Sequence, residues 1–134
     1  ISMLGPQQTE WLIQECQNSQ ADFLFVVSSV NFMVPHVGAG GGADLNAAAK
    51  KDDAWTVFLR DRERLIKAWD ALKQPVFVLT GDLHNCFAIQ ITDNVWEFAS
   101  GPHNSVNHRP IEDEGGRPAN GPFQYGPRGC DIRC

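Results

Sequence analysis

Apolar residues recur along this chain in two rhythms. Around Trp11, Leu12 and Cys16, and again at Phe58, Leu65, Ile66, Trp69 and Leu72, they return at helical spacing. Two short runs, Phe23-Leu24-Phe25-Val26-Val27 and Val76-Phe77-Val78-Leu79-Thr80, are apolar without alternation, the pattern of strands buried on both faces. Two later runs, Cys86 to Thr92 and Val95 to Ala99, flank Asp93-Asn94. They predict a β-hairpin whose two-residue turn tolerates left-handed geometry.

Helix signals and breakers set the boundaries. Gly5-Pro6 opens the first helix, with Pro6 at its first position, and the pattern runs to about Asn18 with Trp11, Leu12 and Cys16 on one face. The second helix spans about Phe58 to Leu72, with Arg60, Asp61, Arg62, Glu63 and Arg64 on its wet side. Pro75 marks the entrance of the Val76 strand. The Gly-rich stretch Gly38 to Gly42 lacks a following Lys-Ser/Thr, so it reads as a mobile connection rather than a nucleotide loop. From Asn107 onward prolines and glycines predict irregular structure. The order helix, strand, loop, helix, strand, hairpin predicts an α/β fold with a mixed sheet. Phe23–Val27 and Val76–Thr80 are then joined by a helical crossover, and antiparallel strands follow.

Polar groups follow the apolar strands directly. Ser28, Ser29 and Asn31 come after the first, and Gly81-Asp82-Leu83-His84 after the second. Ligands gather at the carboxyl ends of strands in open α/β sheets. Gly81 is placed to release the chain into a turn. Asp82 and His84 alternate in extended chain and so face one site together. Aspartate offers a hard anionic oxygen and imidazole a nitrogen, a pairing suited to metal ions. The competing reading is a polar loop in which Asp82 caps a backbone N–H and His84 is solvated. His36, His103 and Asn104 are further rim candidates on loops.

Composition narrows the function classes. The 134 residues suffice for one modest domain, and a net charge of −5 argues against a nucleic-acid scaffold or an anionic membrane as the main partner. No apolar run approaches the length of a membrane span. Cys16 and Cys86 read as small core residues. Cys130 and Cys134 can form a disulfide or half a metal site, but no second pair stands at zinc spacing. No G-x-S-x-G elbow marks a serine hydrolase. The absent initiator methionine and the abrupt end predict a piece of a larger protein.

Several stretches, in order, resemble a known family. Leu4-Gly5-Pro6-Gln7-Gln8-Thr9-Glu10-Trp11-Leu12 is similar to an LG-x-x-Q-x-x-WL helix, and Phe25 to Val30 to the strand after it. Asp53-Ala54-Trp55 with Phe58, Arg62 and Leu65 is similar to a D-x-W…R-x-x-L segment. Val78-Leu79-Thr80-Gly81-Asp82-Leu83-His84 is similar to a V-L-T-G-D-x-H loop, and Trp96 to Ser100 to an E-F-x-S strand. Together they resemble the C-terminal half of the alkaline phosphatase D (PhoD-like) metallophosphatases, within the calcineurin-like phosphoesterase superfamily. The resemblance implies a four-layer α/β/β/α sandwich, of which residues 1–134 form the C-terminal part: an α/β portion over 1–105 and an irregular segment over 106–134. It implies a dinuclear metal centre of iron and calcium, or of other divalent metals such as zinc, manganese or magnesium. Asp82 and His84 become metal ligands, with His84 in the catalytic apparatus, and Asn31, His36 and His103 are substrate-binding candidates. The implied activity is phosphomonoester or phosphodiester hydrolysis by a metal-activated hydroxide, and such proteins are often exported. The remaining ligands would come from an N-terminal half, so this chain alone is expected to be inactive. The alternative is a truncated relative serving as a scaffold or binding module.

Overall fold

A computed structural model describes residues 2–34, 55–82 and 86–101. Among them run α1 (Gly5–Asn18), β1 (Leu24–Val27), α2 (Leu59–Asp70), β2 (Val76–Thr80), β3 (Phe87–Gln90) and β4 (Val95–Ala99). The four strands form one sheet in the order β1-β2-β4-β3. β1, β2 and β4 run parallel, with Leu24 opposite Val76 and Val76 opposite Val95. β3 runs antiparallel to β4 at the far edge. This is the expected mixed α/β sheet; β4 lies between β2 and β3, parallel to the first and antiparallel to the second.

One face of the sheet carries the core. Val76, Val78 and Val95 pack with Leu65, Ile66 and Trp69 of α2 and Ile13 and Cys16 of α1. α1 begins at Gly5, whose φ of 77° lies in the left-handed region that glycine enters without a Cβ penalty. Asp61 of α2 ties down the preceding segment by accepting from the Met3 N–H at 2.8 Å and from the Ser2 hydroxyl. The inward stripe of α1 is Thr9, Ile13 and Cys16, while Trp11 is more than half exposed. The expected shared face of Trp11 and Cys16 is therefore corrected: at 100° per residue, Trp11 lies well round the cylinder from Ile13 and Cys16.

α2 holds a second correction. Arg62 is buried with Leu65, Ile66 and Trp69, because positions 62, 65, 66 and 69 form one stripe. Its guanidinium pairs with Glu63 at 2.8 Å. The end of α2 is closed from the hairpin. The Asn94 amide lies 3.0, 3.2 and 2.9 Å from the carbonyls of Trp69, Leu72 and Gln74, and it satisfies groups the helix leaves open. The turn differs from the two-residue form expected. Gln90 stands opposite Trp96, so Thr92, Asp93 and Asn94 make the reversal. The Thr92 hydroxyl accepts from the N–H groups of Asn94 and Val95, at 3.1 and 3.0 Å, which removes the need for a left-handed residue.

The other face of the sheet is open. Phe25 and Val27 are 59% and 79% exposed, so β1 is not buried on both faces as its apolar run implied. Rings of Phe23, Phe25, Phe77, Phe98 and Trp96 form a continuous series with centroids 5.4 to 6.4 Å apart.

Candidate functional site

The three parallel strands deliver their carboxyl ends to one rim. Past β1, the Ser28 N–H donates to the Leu79 carbonyl at 2.9 Å; past β4, the Ser100 N–H donates to the Thr80 carbonyl at 3.1 Å. Ser28–Ser29, Gly81–Asp82 and Ser100–Gly101 therefore lie side by side. The turn out of β2 falls one residue later than expected. Gly81 keeps an ordinary φ, and Asp82 takes φ 71°. Aspartate is one of the few residues that enter this region, at a cost of about 1–2 kcal/mol. Such strain concentrates at ligand sites. Asp82 is exposed at the rim.

Beneath the rim lies an acid that the sequence reading did not single out. Glu97 of β4 is fully buried. Its Oε1 accepts from the Phe32 N–H at 2.7 Å and from the Thr80 hydroxyl at 2.8 Å, and its Oε2 accepts from the Met33 N–H at 2.8 Å. Burial pushes the Glu97 carboxyl above its ordinary 4.5, against the bonds from Phe32, Thr80 and Met33 and the positive charge of Arg62, which pull it down. Above about pH 4.5 the unfolded chain releases a proton that the folded protein keeps. Stability is then greatest below that pH and falls as pH rises through the folded value. Urea midpoints measured from pH 4 upward should show this decline in the wild type and lose it in Glu97→Gln; parallel curves would reject the assignment.

The segment after β1 is equally tied. The Ser28 hydroxyl donates to the Val30 carbonyl at 2.7 Å and accepts from the Trp55 indole at 3.0 Å. Asn31 is fully buried, and neither polar atom of its side chain has a hydrogen-bond partner among the described residues. Orphaned buried amides are uncommon and call for an explanation such as a ligand or a further segment. Cys16 is a core residue, as expected, and burial pushes its thiol up. Cys86, just before β3, accepts from the Gly101 N–H at 3.2 Å. A largely apolar cavity of about 500 Å³ lies between α1 and β1, lined by residues including Trp11, Leu12, Cys16, Val26 and Trp69; Asp82 is not among its walls.

Of the expected site residues, the structure describes Asp82, exposed at the rim, and Asn31, fully buried in the segment after β1. His36, His84 and His103 lie outside the described residues. So do Asn104, the Gly38–Gly42 stretch, Cys130 and Cys134, and the irregular segment 106–134. Among the described residues no three His, Cys, Asp or Glu side chains cluster as a metal site would need. Asp82 fits a hard metal ion as one exposed anionic donor, and the rest of a coordination sphere must come from elsewhere. The missed residue, Glu97, did carry a signal. It is the one charged position in Val95-Trp96-Glu97-Phe98-Ala99, a run otherwise apolar on both faces.

No helix among the described residues is long and apolar enough to cross a membrane. No curated protein matches the chain. A solved structure described as "Structure of PhoD" is similar over 75% of this chain, with a TM-score of 0.57 and 23% identity, which shows a shared fold. The chain spans 20% of the length of that structure. The PhoD-like phosphatase family matches residues 1–123. That span takes in every described helix and strand and the Asp82 rim, and on it the chain belongs to the PhoD-like phosphatase family.

Proposed function

We propose that the protein carrying this chain hydrolyses phosphoesters, mono- or diesters, at a dinuclear metal centre seated on this rim. The observation that carries the reading is Asp82, an exposed carboxylate in left-handed backbone where three parallel strands end together. Asp82 and His84 would hold metal, either iron and calcium or divalent ions such as zinc, manganese or magnesium. Bound metals supply an activated water and neutralise charge on phosphoryl oxygens. This chain's part is to fix the carboxylate: the β2 ladder positions it, and the packed segment after β1 closes the rim beside it. His36 and His103 contact the substrate; Asn31, the third candidate, is fully buried, and an ester oxygen reaching it would accept from its NH2 and leave its Oδ1 in need of a donor. Asp82 and His84 would not hold two metals by themselves, so residues 1–134 alone are expected to be inactive or nearly so.

The test is elemental analysis of the full-length protein with turnover of p-nitrophenyl phosphate and bis(p-nitrophenyl) phosphate. Metal at or above one equivalent with turnover of either ester is expected. A metal-free, inactive protein would leave the scaffold reading standing instead.

Residues 1–134 are, in this reading, the C-terminal part of one phosphatase domain, with the α/β portion over 1–105. A second sheet of a four-layer sandwich covers the aromatic face. In the full-length protein Phe25→Asp should then cost about 3 kcal/mol or more, because it buries an unpaired charge. If Phe25 stays in water, the change should fall within about 0.5 kcal/mol. Urea unfolding distinguishes the two.

A further inference from the structure

We propose that Glu97 is the positioning residue of the rim, tying the Asp82 turn and the Asn31 segment into one unit. The inference rests on the reading of this rim as a metal-dependent phosphatase site and deepens it.

The geometry is specific. Glu97 lies on the core face of β4 opposite Val78, and its carboxylate reaches two elements at once. Toward β2 it takes the hydroxyl of Thr80, two residues before Asp82. Toward the segment after β1 it takes the N–H groups of Phe32 and Met33, immediately after Asn31. These amides belong to no helix or strand, so Glu97 replaces the backbone partners they lack. A buried acid is costly and is retained only where its oxygens are satisfied. Here each oxygen has a donor, and the donors come from the two segments that must hold still for a site to exist. Arg62 of α2 adds a positive charge from the helix layer. Glu97 touches neither metal nor substrate. It acts through Thr80 on Asp82, and through Phe32 and Met33 on Asn31.

Glutamine separates this role from simple packing. It keeps the volume, but only one of its two terminal atoms accepts. With its oxygen toward Phe32 and Thr80, its NH2 meets the Met33 N–H, donor against donor. With the opposite rotamer the Thr80 hydroxyl turns to accept from the NH2, but the Phe32 N–H loses its acceptor, so either orientation leaves one backbone N–H facing a donor. The experiment uses the full-length protein and its Glu97→Gln and Thr80→Val variants. It measures kcat and KM for p-nitrophenyl phosphate and its bis-ester, the Kd for Mn2+ by calorimetry on metal-stripped protein, and hydrogen exchange at Phe32 and Met33. Outer-shell partners of metal ligands typically contribute about 10–100-fold. Glu97→Gln is expected to lower kcat by about that factor with KM changing less than about threefold. Its Mn2+ Kd should rise about tenfold, with faster exchange at both amides. Thr80→Val, which removes one bond and keeps the shape, is expected to show a smaller effect of the same kind. It also carries the test should Glu97→Gln fail to fold. A folded Glu97→Gln with kcat and Mn2+ affinity within about twofold of wild type overturns the proposal, even if its melting temperature falls. A wild type that neither turns over ester nor binds Mn2+ overturns the phosphatase reading, and the positioning role with it. A wild type that does both while the variants match it overturns the positioning role alone.

Discussion

Asp82→Asn in the full-length protein lowers kcat/KM by at least about a hundred-fold while its thermal stability stays close to wild type. The magnitude follows from a comparison: residues that merely support a metal ligand cost about 10–100-fold when removed, and a ligand itself should cost no less. Asparagine is the informative replacement because of the backbone. At φ 71° most side chains meet the following carbonyl, whereas Asn tolerates the region nearly as well as Asp. Asp82→Ala loses the same anionic oxygen but also adds strain of about 1 kcal/mol, so its lost activity is harder to assign. Metal content measured beside turnover completes the test. Loss of activity together with loss of metal supports ligation, and a variant that keeps both at wild-type level rejects Asp82 as a ligand.

The sequence made some features legible because a local rule decides them. Pro6 and the Gly5 before it place the start of α1, and α1 runs from Gly5 to Asn18 as expected. Val76–Thr80 and Val95–Ala99 emerge with the expected bounds because Pro75 and the Asp93-Asn94 reversal bracket them. The parallel pairing of β1 with β2 follows from the intervening helix. What stayed hidden depends on segments distant in the chain. Arg62 reads as part of a charged face, yet it is buried because its stripe also holds Leu65 and Trp69. Glu97 alternates with aromatic residues on the open face, and nothing local says that Thr80, Phe32 and Met33 bring it donors. Asn31 reads as one polar residue among several in a loop. Its complete burial cannot be seen from spacing. The rim itself was anticipated, since Asp82 follows an apolar strand, but Gly81 attracted the turn that Asp82 makes.

Phe32 links that hidden packing to the site, and Phe32→Ala should destabilise the protein by about 3–5 kcal/mol, the range for removing a fully buried aromatic ring. The ring is 1% exposed and lies between two indoles, its centroid 5.1 Å from that of Trp55 and 5.7 Å from that of Trp69. Trp69 stands on α2, and Trp55 reaches the rim through its bond to Ser28. Removing the ring therefore empties the space between the helix layer and the segment after β1. The Phe32 N–H bond to Glu97 is retained in alanine, so the loss measures packing rather than that bond. Phe32→Leu, which refills much of the volume, should recover most of the stability. Urea unfolding of the two variants beside wild type reads both effects. A cost below about 1 kcal/mol for Phe32→Ala would mean that the ring does not anchor the segment. Activity adds a second reading at temperatures where the variant is still folded. A loosened Asn31 segment should raise KM or lower kcat well below the melting transition, whereas a purely global loss of stability leaves turnover by the folded fraction unchanged.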